Sequence, residues 1–238
     1  MVDFRVDFMI KKIFLITITI VVISLLVILS VTGNESKPGD EPIKLPEPKY
    51  DSKISIEESI LKRRSIRDYK DQPLTLAEIS QLLWAAQGIT GPMGLRTAPS
   101  AGALYPLEIY IVAGDIKDLA DGIYKYIPQR HELICIRKGD RRSELSAAAL
   151  RQPWVKNGAA VIVFSAVFER TTKKYGERGI RYVHIETGSA VQNVYLQAVS
   201  LNLGTVAVGA FADEEVKRIL NMRTEEHLIC IMPVGRIK

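Results

Sequence analysis

Little in this chain suits metal or thiol chemistry. It has two cysteines, Cys135 and Cys230, and three histidines, His131, His184 and His227, in 238 residues. Each cysteine sits in an apolar Leu-Ile-Cys-Ile run and reads as a small buried residue. No Cys-x-x-Cys pair or Cys/His cluster is present, so neither a zinc nor an iron–sulfur site is expected. The chain also lacks a Walker-type phosphate loop, a strand–Gly-x-Gly-x-x-Gly–helix unit and a Gly-x-Ser-x-Gly elbow. A formal charge of +5 suits an anionic ligand or a membrane surface. It is too small and too dispersed for nucleic acid, and no aromatic–basic RNA-binding motif accompanies it.

One long hydrophobic run is present. Residues 13–32 carry no charge, and twenty residues at 1.5 Å each span about the thickness of a bilayer core. Lys11 and Lys12 precede the run, and Glu35, Asp40 and Glu41 follow it. This bias predicts a single-pass membrane protein with residues 1–12 in the cytoplasm and the remainder extracytoplasmic; a cleaved signal peptide is the alternative. Residues 33–53, with Pro38, Pro42, Pro46 and Pro48, read as an extended linker. The folded domain is therefore expected over 54–238.

Within that domain two N-terminal helix signatures stand out, Ser55 with Glu58 and Thr75 with Glu78. The second opens a helix with Leu76, Ile79, Leu82, Leu83 and Ala86 on one face, ending at Gly88. Strands are expected at 107–113, 159–168, 205–211 and 228–234, with a hairpin at 122–126 and 132–137. Helices are expected at 141–150, 178–203 and 213–220. Interspersed strands and helices place the fold in the α/β or α+β class.

The stretch Lys-Arg-Arg-Ser-Ile-Arg-Asp-Tyr at 62–69 concentrates guanidinium groups. Arg63 and Arg67 would share a face if the first helix continued through them. Guanidinium forks match phosphate oxygens two at a time, and Ser65 adds a neutral donor. A solvated basic helix face is the other reading. The loop from 88 to 106 is rich in Gly, Pro and Ala, and would let a ligand approach the backbone.

The order of these segments resembles the nitroreductase family of FMN-dependent oxidoreductases, most closely its SagB-type azoline dehydrogenases. The resemblance lies in residues 62–69, 98–112, 152–155, 174–193, 203–211 and 233–236. It implies an α+β fold with a mixed, mainly antiparallel sheet flanked by helices. It implies FMN as cofactor, with Arg63, Arg64, Ser65 and Arg67 at its phosphate and ribityl chain and Arg236 as a further cation. Pro99, Ser100, Ala101 and Ala103 would lie beside the isoalloxazine, and the backbone of Val208, Gly209 and Ala210 would face the ring near N5. Lys174 and Tyr175 match a pair linked to azoline oxidation, where one serves as base; a solvated turn before the long helix is the other reading. Gln152 is a candidate flavin contact, whereas Glu186, Gln192 and Asn193 read as packing or helix–helix bonding residues. The family implies a homodimer with FMN at the interface, NAD(P)H as a possible electron donor and a small-molecule or peptide substrate. The rival reading is a membrane-tethered flavin- or nucleotide-binding module without turnover.

Overall fold

The computed structural model describes residues 41–238, of which 42–238 form one compact unit. The expected span at 13–32 lies outside the described residues. No helix among the described residues is long and apolar enough to cross a membrane. The fold class is accordingly corrected to α+β, with no membrane-spanning helix among the described residues, and the single-pass localisation and membrane partner expected from the sequence are withdrawn.

The described chain opens with β1 (Ile43–Lys44) and α1 (Ile56–Lys62), followed by β2 (Tyr69–Lys70), β3 (Leu74–Thr75) and α2 (Leu76–Gln87). Strands β4 (Leu107–Ala113), β5 (Ile116–Lys117), β6 (Gly122–Ile127) and β7 (Glu132–Lys138) come next. Then follow α3 (Arg142–Ala148), α4 (Pro153–Asn157), β8 (Ala160–Ala166), α5 (Glu169–Tyr175) and α6 (Arg178–Ser200). The chain ends with β9 (Leu203–Thr205), α7 (Asp213–Leu220) and β10 (His227–Ile237).

The main sheet runs β1-β7-β6-β4-β8-β10-β2, with β9 also on β10, and all its pairings are antiparallel. A separate pair, β3 and β5, is parallel. Strands β4 and β8 are buried nearly throughout because helices cover both faces. One face packs on α2 and α6 through Ile109, Ile111, Ile162 and Phe164. The other packs on α3 and α7 through Tyr110, Val112, Val161 and Val163. Alternation along each strand thus feeds two cores, so these runs read as continuously apolar.

The domain begins earlier than 54. Ile43 and Lys44 pair with Leu133 and Glu132, and Leu45 is 2% exposed. Farther along, the backbone of Lys49 exchanges bonds with the side chain of Gln81. Prolines keep this strap extended, and an extended chain is what an open sheet edge accepts.

Helix α1 ends at Lys62, so Arg63 and Arg67 share no helical turn. The cause is tertiary. The Ile66 N–H bonds the Thr205 carbonyl at 2.9 Å, drawing the chain straight. Tyr69 is buried against Gly235, where an added Cβ would lie 2.7 Å from its ring. Its hydroxyl donates to the Ile66 carbonyl at 2.8 Å. The expected strand 205–211 is shorter than its pattern suggests. Regular pairing stops at Thr205, and only Val208 bridges again, to Ile231.

Candidate active site

The site residues expected from sequence gather in two groups. The first lies along the β9 edge. Arg63 stands over the Tyr195 ring at 5.2 Å, and Arg67 over the Trp154 ring at 5.4 Å. Ser65 Oγ lies 3.1 Å from the Tyr195 hydroxyl, which accepts the Ala207 N–H at 2.7 Å. Tyr195 therefore ties the arginine segment to the loop that follows β9. A cavity of about 320 Å³ opens here, lined by Lys62, Arg64, Ile66, Tyr195 and Thr205 among others. Arg63, Arg64 and Arg67 make no ion pair among the described residues, whereas Arg170, Arg223 and Arg236 are each held by carboxylates. Three clustered guanidiniums without a carboxylate fit an anionic group.

The same edge carries the segment expected at N5. The Val208 N–H is taken by Ile231 at 2.9 Å and so is not free for a ring. Gly209 and Ala210 are exposed, and the space around Gly209 is open within 4 Å of an added Cβ. Gln152 donates to the Ala210 carbonyl at 3.0 Å and to the Ala149 carbonyl at 2.9 Å, so it steadies this loop.

Arg236 does not join the cluster. Its guanidinium makes a two-pronged contact with Glu78, at 2.6 and 2.9 Å. Glu78 also closes the cap of α2 through the Thr75 N–H at 2.8 Å. Burial pushes the Glu78 carboxyl up, but the Thr75 bonds and Arg236 outweigh it and hold it below its ordinary value.

The second group surrounds the loop before β4. Ala101–Ala103 form a short 3-10 turn, with Gly102 at φ +65° and Ala103 at φ +54°. Beyond Leu104, which is right-handed at φ −88°, Tyr105 again has a positive φ of +46°. Ser100 anchors this turn: its Oγ accepts the Tyr105 N–H at 2.9 Å and its carbonyl the Ala103 N–H at 3.0 Å. Pro99 is exposed, and Ser100 and Ala101 are half-buried. Lys174 and Tyr175, at the end of α5, rest on this turn. A Cβ placed on Gly102 would lie 2.8 Å from the Tyr175 hydroxyl and 3.0 Å from Lys174 Nζ. Tyr175 is further fixed edge-on to Tyr182 at 5.2 Å.

Beneath the loop lies Glu186, which sequence reading assigned to packing. It is 3% exposed, and its Oε1 has no partner. Burial raises its carboxyl to about 7, against the pull of the Ser100 hydroxyl and Arg96. Helical period alone places Glu186 on an otherwise small-residue face, the one available signal that its carboxyl points inward.

This architecture matches known proteins. The nitroreductase family model matches residues 60–236. MJ1384 of Methanocaldococcus jannaschii, named for nitroreductases, is 49% identical over 183 residues, which are 77% of this chain and 91% of that protein. A nitroreductase-like crystal structure from Ralstonia eutropha superposes with a TM-score of 0.73 at 28% identity, covering 85% of this chain and 93% of that one. Another, from Anabaena variabilis, gives 0.74 at 31%, covering 84% of this chain and 42% of that one. The chain belongs to the nitroreductase family, a family of flavin oxidoreductases. It is also 28% identical over 157 residues to the microcin B17-processing protein McbC of Escherichia coli, spanning 63% of this chain and 57% of McbC.

Proposed function

We propose that this protein is an FMN-dependent oxidoreductase exchanging hydride with its substrate at flavin N5, and within that class a SagB-type dehydrogenase acting on a peptide azoline. The observation that carries this reading is the seat of Lys174 and Tyr175 on Gly102, which puts two proton-handling side chains against the loop expected beside the flavin. The likeness to McbC and to the trifolitoxin-processing protein TfxB supports a peptide substrate.

The residues present fit FMN. Arg63, Arg64, Arg67 and Ser65 would hold the phosphate and ribityl chain, and the exposed backbone at Gly209 and Ala210 would lie against the ring. Bound FMN would supply a two-electron acceptor or donor at N5. Azoline oxidation removes one hydride and one proton from neighbouring ring carbons and leaves a ring double bond. Tyr175 or Lys174 would take that proton, with Gly102 and Tyr182 fixing the phenol. The two groups belong to one centre if a second copy of the chain supplies one of them. The exposed apolar residues Ile56, Ile60, Ile180 and Ile185 on α1 and α6 suit such a homodimer.

A second reading is an NAD(P)H-dependent reductase of nitro or quinone-like acceptors. It is favoured by 25% identity over 184 residues to the FMN reductase (NADPH) of Bacillus subtilis, spanning 72% of this chain and 61% of that protein.

The deciding experiment uses the purified full-length protein. It should be yellow and release FMN, and Tyr175→Phe should keep the flavin while azoline oxidation falls by at least about 100-fold, in the range of general base catalysis. Anaerobic bleaching by NAD(P)H with Tyr175→Phe unaffected would select the reductase. A folded protein that retains no FMN would reject both readings.

A further inference from the structure

Tyr105 is a strained residue held on three sides. It precedes Pro106, and a following proline steers the backbone towards extended conformations, yet its φ is +46°. A non-glycine residue keeps such a conformation only where its surroundings enforce it. Ser100 Oγ accepts the Tyr105 N–H at 2.9 Å. Arg170 Nη1 donates to the Tyr105 carbonyl at 3.0 Å. The Arg96 guanidinium lies over the Tyr105 ring, 4.5 Å from its centre.

Of these three partners, Arg170 belongs to α5, the helix that ends in Lys174 and Tyr175. It lies four residues before Lys174, so the two share a face of that helix. Its other terminal nitrogen, Nη2, donates to Glu108 of β4. Glu108 Oε2 meets Lys125 Nζ at 2.9 Å, and Lys125 reaches Glu226 at 2.9 Å. Glu226 is wholly buried, and it accepts the Tyr110 hydroxyl at 2.7 Å, Ser165 Oγ at 3.1 Å and Arg223 Nε at 2.8 Å. Burial pushes the Glu226 carboxyl up, but the bonds from Lys125, Tyr110 and Arg223 outweigh it and hold it below its ordinary value. The far end of this chain of charges is therefore fixed in the sheet. Arg170 carries it to the turn, because one planar fork can serve a carboxylate and a carbonyl at once.

We propose that Arg170 is a positioning residue: by bridging Glu108 and the Tyr105 carbonyl it locks α5 to the turn and so sets where Lys174 and Tyr175 stand over Gly102. Helix α5 spans seven residues, too short to hold its own shape or placement. Where the chain enters it, the Val167 N–H donates to the Pro106 carbonyl at 2.9 Å. That bond fixes one end, and Arg170 fixes the rotation that aims the last turn. The same guanidinium holds Tyr105 in its positive φ, so the seat and the side chains that rest on it share one fastening.

The catalytic part of Lys174 and Tyr175 rests on the function proposed above; the lock does not, and is read without substrate. In the wild-type holoprotein both Nη groups of Arg170 are bonded, so its guanidinium should give resolved, slowly rotating nitrogen signals by NMR. Arg170→Lys keeps the charge beside Glu108 but lacks the fork that also reaches the carbonyl. Its Tm should move by less than about 4 °C, the reach of one part-exposed pair in a domain of this length. Hydrogen exchange at the Tyr105 and Ala103 amides should nevertheless quicken several-fold, with the β8 amides unchanged. With turnover in hand, kcat should fall by about 10- to 100-fold, as for a misplaced catalytic group. KM and FMN retention should stay within about threefold, the pattern of an interaction that acts in the transition state. A freely rotating Arg170 in the wild type, or wild-type exchange and kcat in Arg170→Lys, would overturn the proposal. A turn loosened by Arg170→Lys in a protein that oxidises no azoline would leave the lock standing and reject only the proposed reaction.

Discussion

The Tyr195 hydroxyl accepts the backbone N–H of Ala207 at 2.7 Å and sits 3.1 Å from Ser65 Oγ. One phenol on α6 thus spaces the arginine segment from the loop after β9. Tyr195→Phe keeps the ring and its contact with Arg63 but leaves the Ala207 N–H without its acceptor. The expected loss is about 1–2 kcal/mol of stability, the cost of one half-buried donor left unmatched. FMN affinity should fall about 5–10-fold as the two segments part. Urea unfolding and flavin fluorescence titration read the two effects separately.

Arg67 has no carboxylate partner and lies over Trp154. If it grips a phosphate, Arg67→Ala should weaken FMN by about 10- to 100-fold, since a charge-assisted bond contributes roughly 1.5–3 kcal/mol. Riboflavin, which lacks the phosphate, should bind wild type and variant alike. Equal weakening of both ligands would place Arg67 at the ring or nowhere near the flavin.

Arg236 is the instructive exception. Its position near the C-terminal end suggests a phosphate ligand, but Glu78 holds it in a part-buried pair. Arg236→Ala frees a carboxylate that also caps α2, so stability should drop by about 2–3 kcal/mol, with a modest effect on flavin. A double-mutant cycle with Glu78→Gln should give a coupling of roughly 1–3 kcal/mol. Coupling near zero, combined with lost flavin, would return Arg236 to the phosphate.

These three cases show which parts of the site were open to sequence reading. Helix α2 was legible because its cap and apolar face are local, and Thr75, Glu78 and Ile79 lie within five residues. Strands β4 and β8 were legible as buried because apolar runs have one cheap solution in a two-faced sheet. The conformation of Arg63–Arg67 was not legible. A capped helix running into good helix formers predicts continuation, yet Ile66 and Tyr69 are pulled out by partners at Thr205 and Gly235, some 130 residues or more away. The strap at 43–49 was misread for a similar reason, since proline content describes stiffness and says nothing of the strand edge that awaits it. Glu186 was hidden because burial of a carboxylate depends on what covers it, and its cover comes from residues 96 and 100.

Gly102 tests the second group directly. At φ +65°, alanine is strained, and its methyl would meet the Tyr175 hydroxyl and Lys174 Nζ. Gly102→Ala should cost about 1–3 kcal/mol and should lower substrate oxidation more than FMN binding. Pairing it with Tyr175→Ala, which clears the space, should recover part of the stability and none of the activity. Full additivity of the two losses would mean that the side chains do not meet.

Glu186 makes a prediction about stability whose sign is fixed. Its carboxyl is raised from 4.5 to about 7 by burial. Between those values the unfolded chain releases a proton that the folded chain retains, so stability falls as pH rises through this window. The contribution is fully present below about pH 4.5 and gone above about pH 7. A shift of this size corresponds to roughly 3 kcal/mol, or roughly 6–12 °C in Tm for a domain of this length. Glu186→Gln cannot ionise and should escape that loss, so the variant should gain on the wild type as pH climbs from 5 to 8. Other titrating groups move both proteins together and cancel in the difference. The Tm difference between the two proteins, measured at half-unit steps of pH, should therefore trace a single titration centred between 4.5 and 7, and a difference that stays constant would show that Glu186 ionises in the folded protein as it does in the unfolded chain.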